Sequence, residues 1–343
     1  MSRAADSESK VSDYIAQCLA DEQIPVIDIG SYMSGAPEAV AQFATDLRAI
    51  QEGLGFYCIV NHGVEQSVID NAFDQIAELF ALPDEEKMNH KVDFHHQGFI
   101  PNKAMILRWS KIAKNEKKDL NEAWAFMRER KADDPKVLSN TRHRGLNQWP
   151  EALPEFRKTL LEYQETMAAL AIRMLPAYAL ALDLPADYFA EKFSTPEYYN
   201  RCAWYPPVEV EEGQFSLSPH SDHSSMTYLP LMDVPGLQVM SPTGKWIEVE
   251  PVRGAIVVNT GEFFNRWTNG RFIATPHRVV PPVKDRYALT FFFNCNDETV
   301  AEPFPSCIAP GEVPKYEPMS FHEFFVTYMD GNYIYRTAEM DED

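Results

Sequence analysis

A barrel or jelly roll of short strands with helices packed outside it is the fold that the sequence predicts, on three observations. After residue 199 the chain breaks into short β-rich runs, MTYLPL, GLQVM, KWIEVE, AIVVN and YALTFFF, punctuated by Pro, Gly and Asn. From about 154 to 183 it forms one long helical stretch. In its first part, short apolar strands alternate with helical periodicity.

In chain order, IPVIDI, opening at Ile24, predicts a strand, and a helix follows over about 38–52. FYCIVNHGV at 56–64 predicts the next strand, and a helix over about 66–81 stops near Pro83. The Asp/Pro/Asn-rich stretch at 132–153 predicts a loop. Within the long helical stretch, residues 166–184 approach the length of a membrane span, but Arg173 and Pro176 at the middle predict a buried, kinked helix instead. No internal repeat or low-complexity linker divides the 343 residues. The whole chain, 1–343, therefore reads as a single domain.

Composition narrows the function. A 45% hydrophobic content with 24% charged residues is that of a soluble globular protein. The formal charge of −20 repels phosphate backbones and anionic lipid, which argues against nucleic acid and membrane as partners. Cys18, Cys58, Cys202, Cys295 and Cys307 are odd in number and form no C-x-x-C pair, so reduced thiols are expected, without a structural zinc site. The polar opening MSRAADSESKVSDY lacks the apolar core of a signal peptide, and a cytoplasmic location is expected.

The chemistry concentrates in SPHSDHSS at 218–225. In an extended strand, residues two apart share a face, so His220 and Asp222 converge and His223 points away. His277, in ATPHRVVPP, lies in the same β-rich half and is able to face that pair across a barrel. Two histidines and a carboxylate leave other coordination positions open, the arrangement of non-haem Fe(II) oxygenases. A structural zinc is more often closed by four protein ligands.

The run from HSDHSSMTYLPLMDVPGLQV through GKWIEVEPVRGAIVVNTGEFFNRWTNGRFIATPHRVVPPVKDRYALTFFF resembles the core of the isopenicillin N synthase-like family of Fe(II)/2-oxoglutarate dioxygenases. IPVIDI, GFYCIVNHGV, LFALPDEEK and HRGLNQWPEALPEFR resemble its N-terminal half, so the resemblance spans about 24–330. It implies a mainly β fold: a double-stranded β-helix (jelly-roll, cupin-like) core over about 199–300, flanked by α-helices and preceded by an α/β part over about 24–153. It also implies Fe(II) held by His220, Asp222 and His277, with 2-oxoglutarate as cosubstrate and O2 as oxidant. The products are succinate, CO2 and an oxidised small molecule, through hydroxylation, desaturation or ring closure.

The family's RxS pattern falls on Arg286, Tyr287 and Ala288. Arg286 is expected to bind the distal carboxylate of 2-oxoglutarate bidentately, with Tyr205 supporting it. Ala288 offers no hydroxyl, which leaves open a 2-oxoglutarate-independent iron oxidase of the same fold. A non-catalytic jelly-roll ligand-binding protein is the alternative of another class, and it has no need of three metal ligands and Arg286.

Four residues are substrate candidates: Phe99, on a stretch that by resemblance approaches the active site; Arg108; His223, lining the pocket mouth or solvated; and Phe293, which alternates with Phe292 on one strand. Arg108 belongs to a basic segment, 103–118, expected as a helical lid with Met105, Ile106, Trp109 and Ile112 on its buried stripe. There it would hold a substrate carboxylate. His62 is expected to make a buried turn hydrogen bond, and Asn259 and Trp267 to be structural. The oligomeric state has no signature in the sequence.

Overall fold

The computed structural model of the protein describes residues 10–104 and 117–332. The strands that build the site are β1 (Val26–Asp28), β2 (Phe56–Val60), β3 (Gly98–Ile100), β4 (Glu122–Met127), β5 (Glu197–Tyr205), β6 (Leu217–His220), β7 (Met226–Pro230), β8 (Leu237–Met240), β9 (Trp246–Glu248), β10 (Ile256–Thr260), β11 (His277–Val279) and β12 (Arg286–Asn294). An eight-stranded sheet runs in the order β1-β2-β10-β7-β12-β5-β4-β3, and a four-stranded sheet in the order β6-β11-β8-β9. From β6 to β12 the chain passes repeatedly between the two sheets, only β8 and β9 staying together as a hairpin, and the fold is a double-stranded β-helix flanked by helices. β2 pairs with β10 and β4 with β5, both antiparallel, so strands from the first part of the chain extend the larger sheet at both edges.

The helix Phe156–Ala181 covers the outer face of that sheet, packing on β5 and β12 and against the helices Pro37–Gly53 and Gln66–Ala81. Its buried residues Phe156, Leu160, Tyr163, Met167, Leu170, Met174 and Tyr178 recur every three or four positions, which places them on one face. Burying each such side chain contributes about 1.5–3 kcal/mol. Pro176, where a kink is expected, lies inside this helix, which continues as one element to Ala181. Packing on both flanks offsets the one N–H that proline removes. No described helix is long and apolar enough to cross a membrane. All five cysteines are free.

Because helices cover its outside, the larger sheet is buried on both faces. β12, RYALTFFFN, therefore reads as a nearly continuous apolar run, and hydrophobicity alone does not mark its inner side. Register does. Arg286, Ala288, Thr290 and Phe292 line the central cavity, while the ring of Phe293 stacks on Phe193 at 5.1 Å on the outer face. Phe293 is accordingly not a cavity residue; Phe292 is. Phe99 is corrected on the same ground. It lies opposite Trp124, which lies opposite Cys202, which lies opposite Leu289, all on the face turned from the cavity.

The loop that follows β6, residues 221–225, is clamped by close backbone approach. Glu262 N donates to Asp222 O at 2.7 Å, and Gly261 N to Ser225 O at 3.2 Å. A Cβ on Gly261 would run into the backbone of Ser224. Gly261→Ala is therefore expected to cost about 1–3 kcal/mol, the range for overpacking, and to lower iron uptake by shifting the loop. Denaturant unfolding and iron stoichiometry measure both, and an unchanged midpoint with full iron would contradict the clamp.

Candidate metal centre and cavity

His220 ends β6 and His277 opens β11, directly opposite each other in the antiparallel register. Their rings lie 4.3 Å apart between centroids. Asp222 follows two residues after His220, and one ligand atom from each of the three falls within 4.8 Å of the others. All three are buried.

Each side chain is turned by a partner on its far side. His220 Nδ1 donates to Ser218 O at 2.8 Å and His277 Nδ1 to Thr275 O at 3.1 Å, so both Nε2 atoms present lone pairs inward. Those atoms stand 3.6 and 3.4 Å from Asp222 Oδ1. Asp222 Oδ2 is occupied separately, accepting from Thr227 Oγ1 at 2.7 Å and Asn259 Nδ2 at 2.8 Å. Ser224 Oγ lies 2.8 Å from Thr227 Oγ1 and extends this support. One carboxylate oxygen and two imidazole nitrogens are thus left facing a common point. A small contraction brings them to the bonds of about 2.0–2.2 Å typical of a transition ion.

The electrostatics favour a cation there. Burial raises the Asp222 pKa, but His277 and His220 outweigh it and hold the carboxyl well below its usual range. Burial, reinforced by His277, lowers His220 to about 3, so this ring is neutral and ready to coordinate. Burial likewise lowers His277, yet the pairing with Asp222 lifts it above an ordinary histidine. Asp222 is thus an ionised carboxylate, stabilised either by a protonated His277 or by a cation placed between the three side chains.

The cavity extends from this cluster along the inner faces of β5 and β12. At one end Arg286 lies opposite Tyr205 in the register, with Cζ 5.2 Å from the tyrosine ring centroid. Arg286 is 4% exposed, its Nε reaches Val234 O at 3.3 Å, and its Nη1 has no partner among the described residues. A buried guanidinium with an unused N–H is suited to an incoming carboxylate. Ala288, the next inward residue, adds an apolar wall.

His223 is neither solvated nor at the mouth. It is 3% exposed, and its ring packs on Phe292 at 4.7 Å, Phe325 at 5.0 Å and Tyr328 at 5.5 Å. Burial pushes its pKa down to about 4. Asn259, expected as structural, instead orients Asp222. His62 makes its buried turn: Nδ1 accepts from Val64 N, and Nε2 donates to Gly254 O at 2.9 Å. Arg108 and most of the expected lid lie outside the described residues. Thr227, Arg201, Phe292 and Tyr328 line the cavity without having been singled out in the sequence. For Phe292, the even spacing from Arg286 along one strand was an available signal. Tyr328 comes from the helix Phe321–Asn332, remote in sequence, and had none.

Two family descriptions match the chain. Residues 24–152 match the N-terminal region of the non-haem dioxygenase in morphine synthesis, and residues 195–294 match the 2OG-Fe(II) oxygenase superfamily. The 2-oxoglutarate-Fe(II) type oxidoreductase hxnY of Emericella nidulans is 30% identical over 309 residues, covering 87% of this chain and 87% of the relative. The 2-oxoglutarate-dependent dioxygenase citB of Monascus ruber is 32% identical over 286 residues, covering 80% and 85%. Among solved structures, a full-length Neurospora crassa protein in complex with alpha-KG superposes with a TM-score of 0.77 at 26% identity, covering 90% of this chain and 96% of that one. JOX2, in complex with 2OG, Fe and JA, superposes with a TM-score of 0.73 at 25% identity, covering 90% and 89%.

Replacing Asp222 or either histidine by Ala is expected to abolish iron retention, since two ligands do not fix a labile divalent ion. Asn259→Ala should weaken iron binding about 10–100-fold by releasing Asp222, and His223→Ala should leave iron near wild type. Anaerobic iron titration distinguishes these variants. Full iron in Asp222→Ala, or its loss in His223→Ala, would reverse the assignment.

Proposed function

The chain belongs to the 2OG-Fe(II) oxygenase superfamily, and we propose that His220 Nε2, His277 Nε2 and Asp222 Oδ1 hold its Fe(II) while Arg286 and Tyr205 seat 2-oxoglutarate. The protein is a 2-oxoglutarate-dependent oxygenase of small molecules. The observation that carries the residue assignment is the pair of unfilled needs in one cavity: three converging donors at one place, and an unpartnered Nη1 of Arg286 at another. The ion, once bound, supplies the coupling of O2 reduction to decarboxylation of 2-oxoglutarate and oxidation of a substrate C–H bond. In balance, one O2 and one 2-oxoglutarate yield succinate and CO2, and the second oxygen atom is available to the substrate.

The chain's own residues supply the rest. Thr227 and Asn259 hold Asp222 with one oxygen inward, and Ser218 and Thr275 fix the imidazole tautomers. The guanidinium of Arg286 pairs with the distal carboxylate, which directs the keto-acid end of the cosubstrate toward the triad. Leu217, Leu229, Leu237, Val257 and Val279 exclude water from the space between. We assign the whole chain to one oxygenase domain in the cytoplasm, where its free thiols stay reduced. Its substrate is a small carboxylate-bearing molecule.

Arg286→Gln is expected to raise the apparent 2-oxoglutarate constant about 10–100-fold, the loss of a charge-assisted pair. Ala288→Ser should lower it by restoring a hydroxyl beside that carboxylate. Succinate release at graded 2-oxoglutarate measures both. Full turnover in buffer free of 2-oxoglutarate would instead favour an oxidase that works without it.

A further inference from the structure

The two imidazoles of the triad are held differently. Among the described strands, β11, which carries His277, lies between β6 and β8, whereas β6, which carries His220, ends the smaller sheet. The β6 ladder is also irregular just before the ligand. Leu217 pairs with Val279 and His220 with His277, so three steps along β6 face two along β11, and Ser218 and Pro219 lie in the bulge between. Pro219 has no N–H to give to a ladder. Yet Ser218 O is the acceptor that orients His220, taking Nδ1–H at 2.8 Å.

Asp119 holds this bulge from outside the smaller sheet. Its Oδ1 accepts from the backbone N of Ser218 at 2.9 Å and from the Ser218 hydroxyl at 2.5 Å. Alongside, Leu120 N donates to Phe215 O at 3.1 Å and Asn121 Nδ2 to Ser216 O at 2.5 Å, so residues 119–121 run along β6 just before β4 begins at Glu122. Asp119 is 1% exposed, and its Oδ2 has no partner among the described residues. A buried carboxyl with one oxygen unmatched is costly to the fold, and the bonds that the other oxygen makes both go to the residue on which the His220 tautomer depends. His277 has a simpler support: Thr275, whose O accepts from its Nδ1, is tied by its own hydroxyl to Leu54 O at 2.6 Å.

We propose that Asp119 is a positioning residue of the metal centre: it holds Ser218 so that the Ser218 carbonyl keeps the proton of His220 on Nδ1 and turns the Nε2 lone pair toward the ion. The inference rests on His220 being a ligand. Without Asp119 the bulge is released, and the ring is free to turn or to carry its proton on Nε2, where it does not coordinate. The effect passes through one ligand and leaves the other histidine as it is.

The test is proton NMR of the full chain loaded with Co(II), whose unpaired electrons shift the ring protons of its ligands away from the bulk of the spectrum. Two of the shifted signals are expected to vanish in D2O, the Nδ1–H of His220 and that of His277. Asp119→Ala should displace one of them, or speed its exchange with water, and leave the other in place. Asp119→Asn, which keeps an acceptor without the charge, should do the same to a smaller extent. Thr275→Val frees the acceptor of the other imidazole from Leu54 and should move the other signal, which tells the two apart. Ser218→Ala, which removes the hydroxyl and keeps the backbone N–H, reads the same contact in the same signal if the Asp119 variants do not fold. Anaerobic Fe(II) titration should show affinity lowered about 10–100-fold in Asp119→Ala, the usual effect of removing an outer hydrogen bond from a metal-bound histidine. Iron affinity within about twofold of wild type in that variant overturns the proposal, even where its unfolding midpoint falls, because Asp119 then serves stability alone. So does displacement of both exchangeable signals together, which is general loosening. Wild-type protein with no exchangeable shifted signal would instead refute the assignment of His220 and His277 as ligands.

Discussion

The carboxylate of Asp222, removed from water and shared between two imidazoles, is the constraint around which the cavity is arranged. An ionised carboxyl in such a place is costly unless opposite charge and hydrogen bonds surround it. The fold supplies the hydrogen bonds from Thr227 and Asn259 to one oxygen and leaves the other to His220, His277 and a cation. That division turns a charged side chain into a directed ligand. It also explains why the short loop after β6 is held from several sides: Ser221 Oγ donates to Ala274 O, Tyr328 OH to Ser221 O, and Glu262 N to Asp222 O.

The second organising feature is the pairing of β5 with β12. Their inner rows set Tyr205 against Arg286, Ala203 against Ala288, Arg201 against Thr290 and Tyr199 against Phe292. Rigid strands fix the intervals between these groups in a way that loops do not. The row carries Arg286 at one end, Ala288 next, and Arg201 and Phe292 toward the other, all but Ala203 and Tyr199 lining one cavity. The alanine at 288 adds no hydroxyl beside Arg286 and Tyr205.

Much of this was legible in the residues. His220 and Asp222 share a side by strand parity, and the helices over 66–81 and 154–183 follow from apolar periodicity. Two of the misplaced residues share one cause. Phe99 and Phe293 are large apolar side chains on strands buried on both faces, where aromatic content does not tell inside from outside. His223 lies outside the strand whose parity was applied to it, and the helix Phe321–Asn332 closes over its ring. Asn259 looks like any buried strand residue until Asp222 is placed beside it.

Local chemistry is written along the chain because it depends on residues a few positions apart: the HxD pair, the reach of Arg286, the stripe of the long helix. Which atoms meet across the barrel is not, because that depends on register between strands far apart in sequence, and a shift of one residue exchanges the two faces. The pairing of His277 with His220 brings the third ligand to the other two. The pairing of Arg201 with Thr290 likewise sets that arginine on the inner row, where it lines the same cavity.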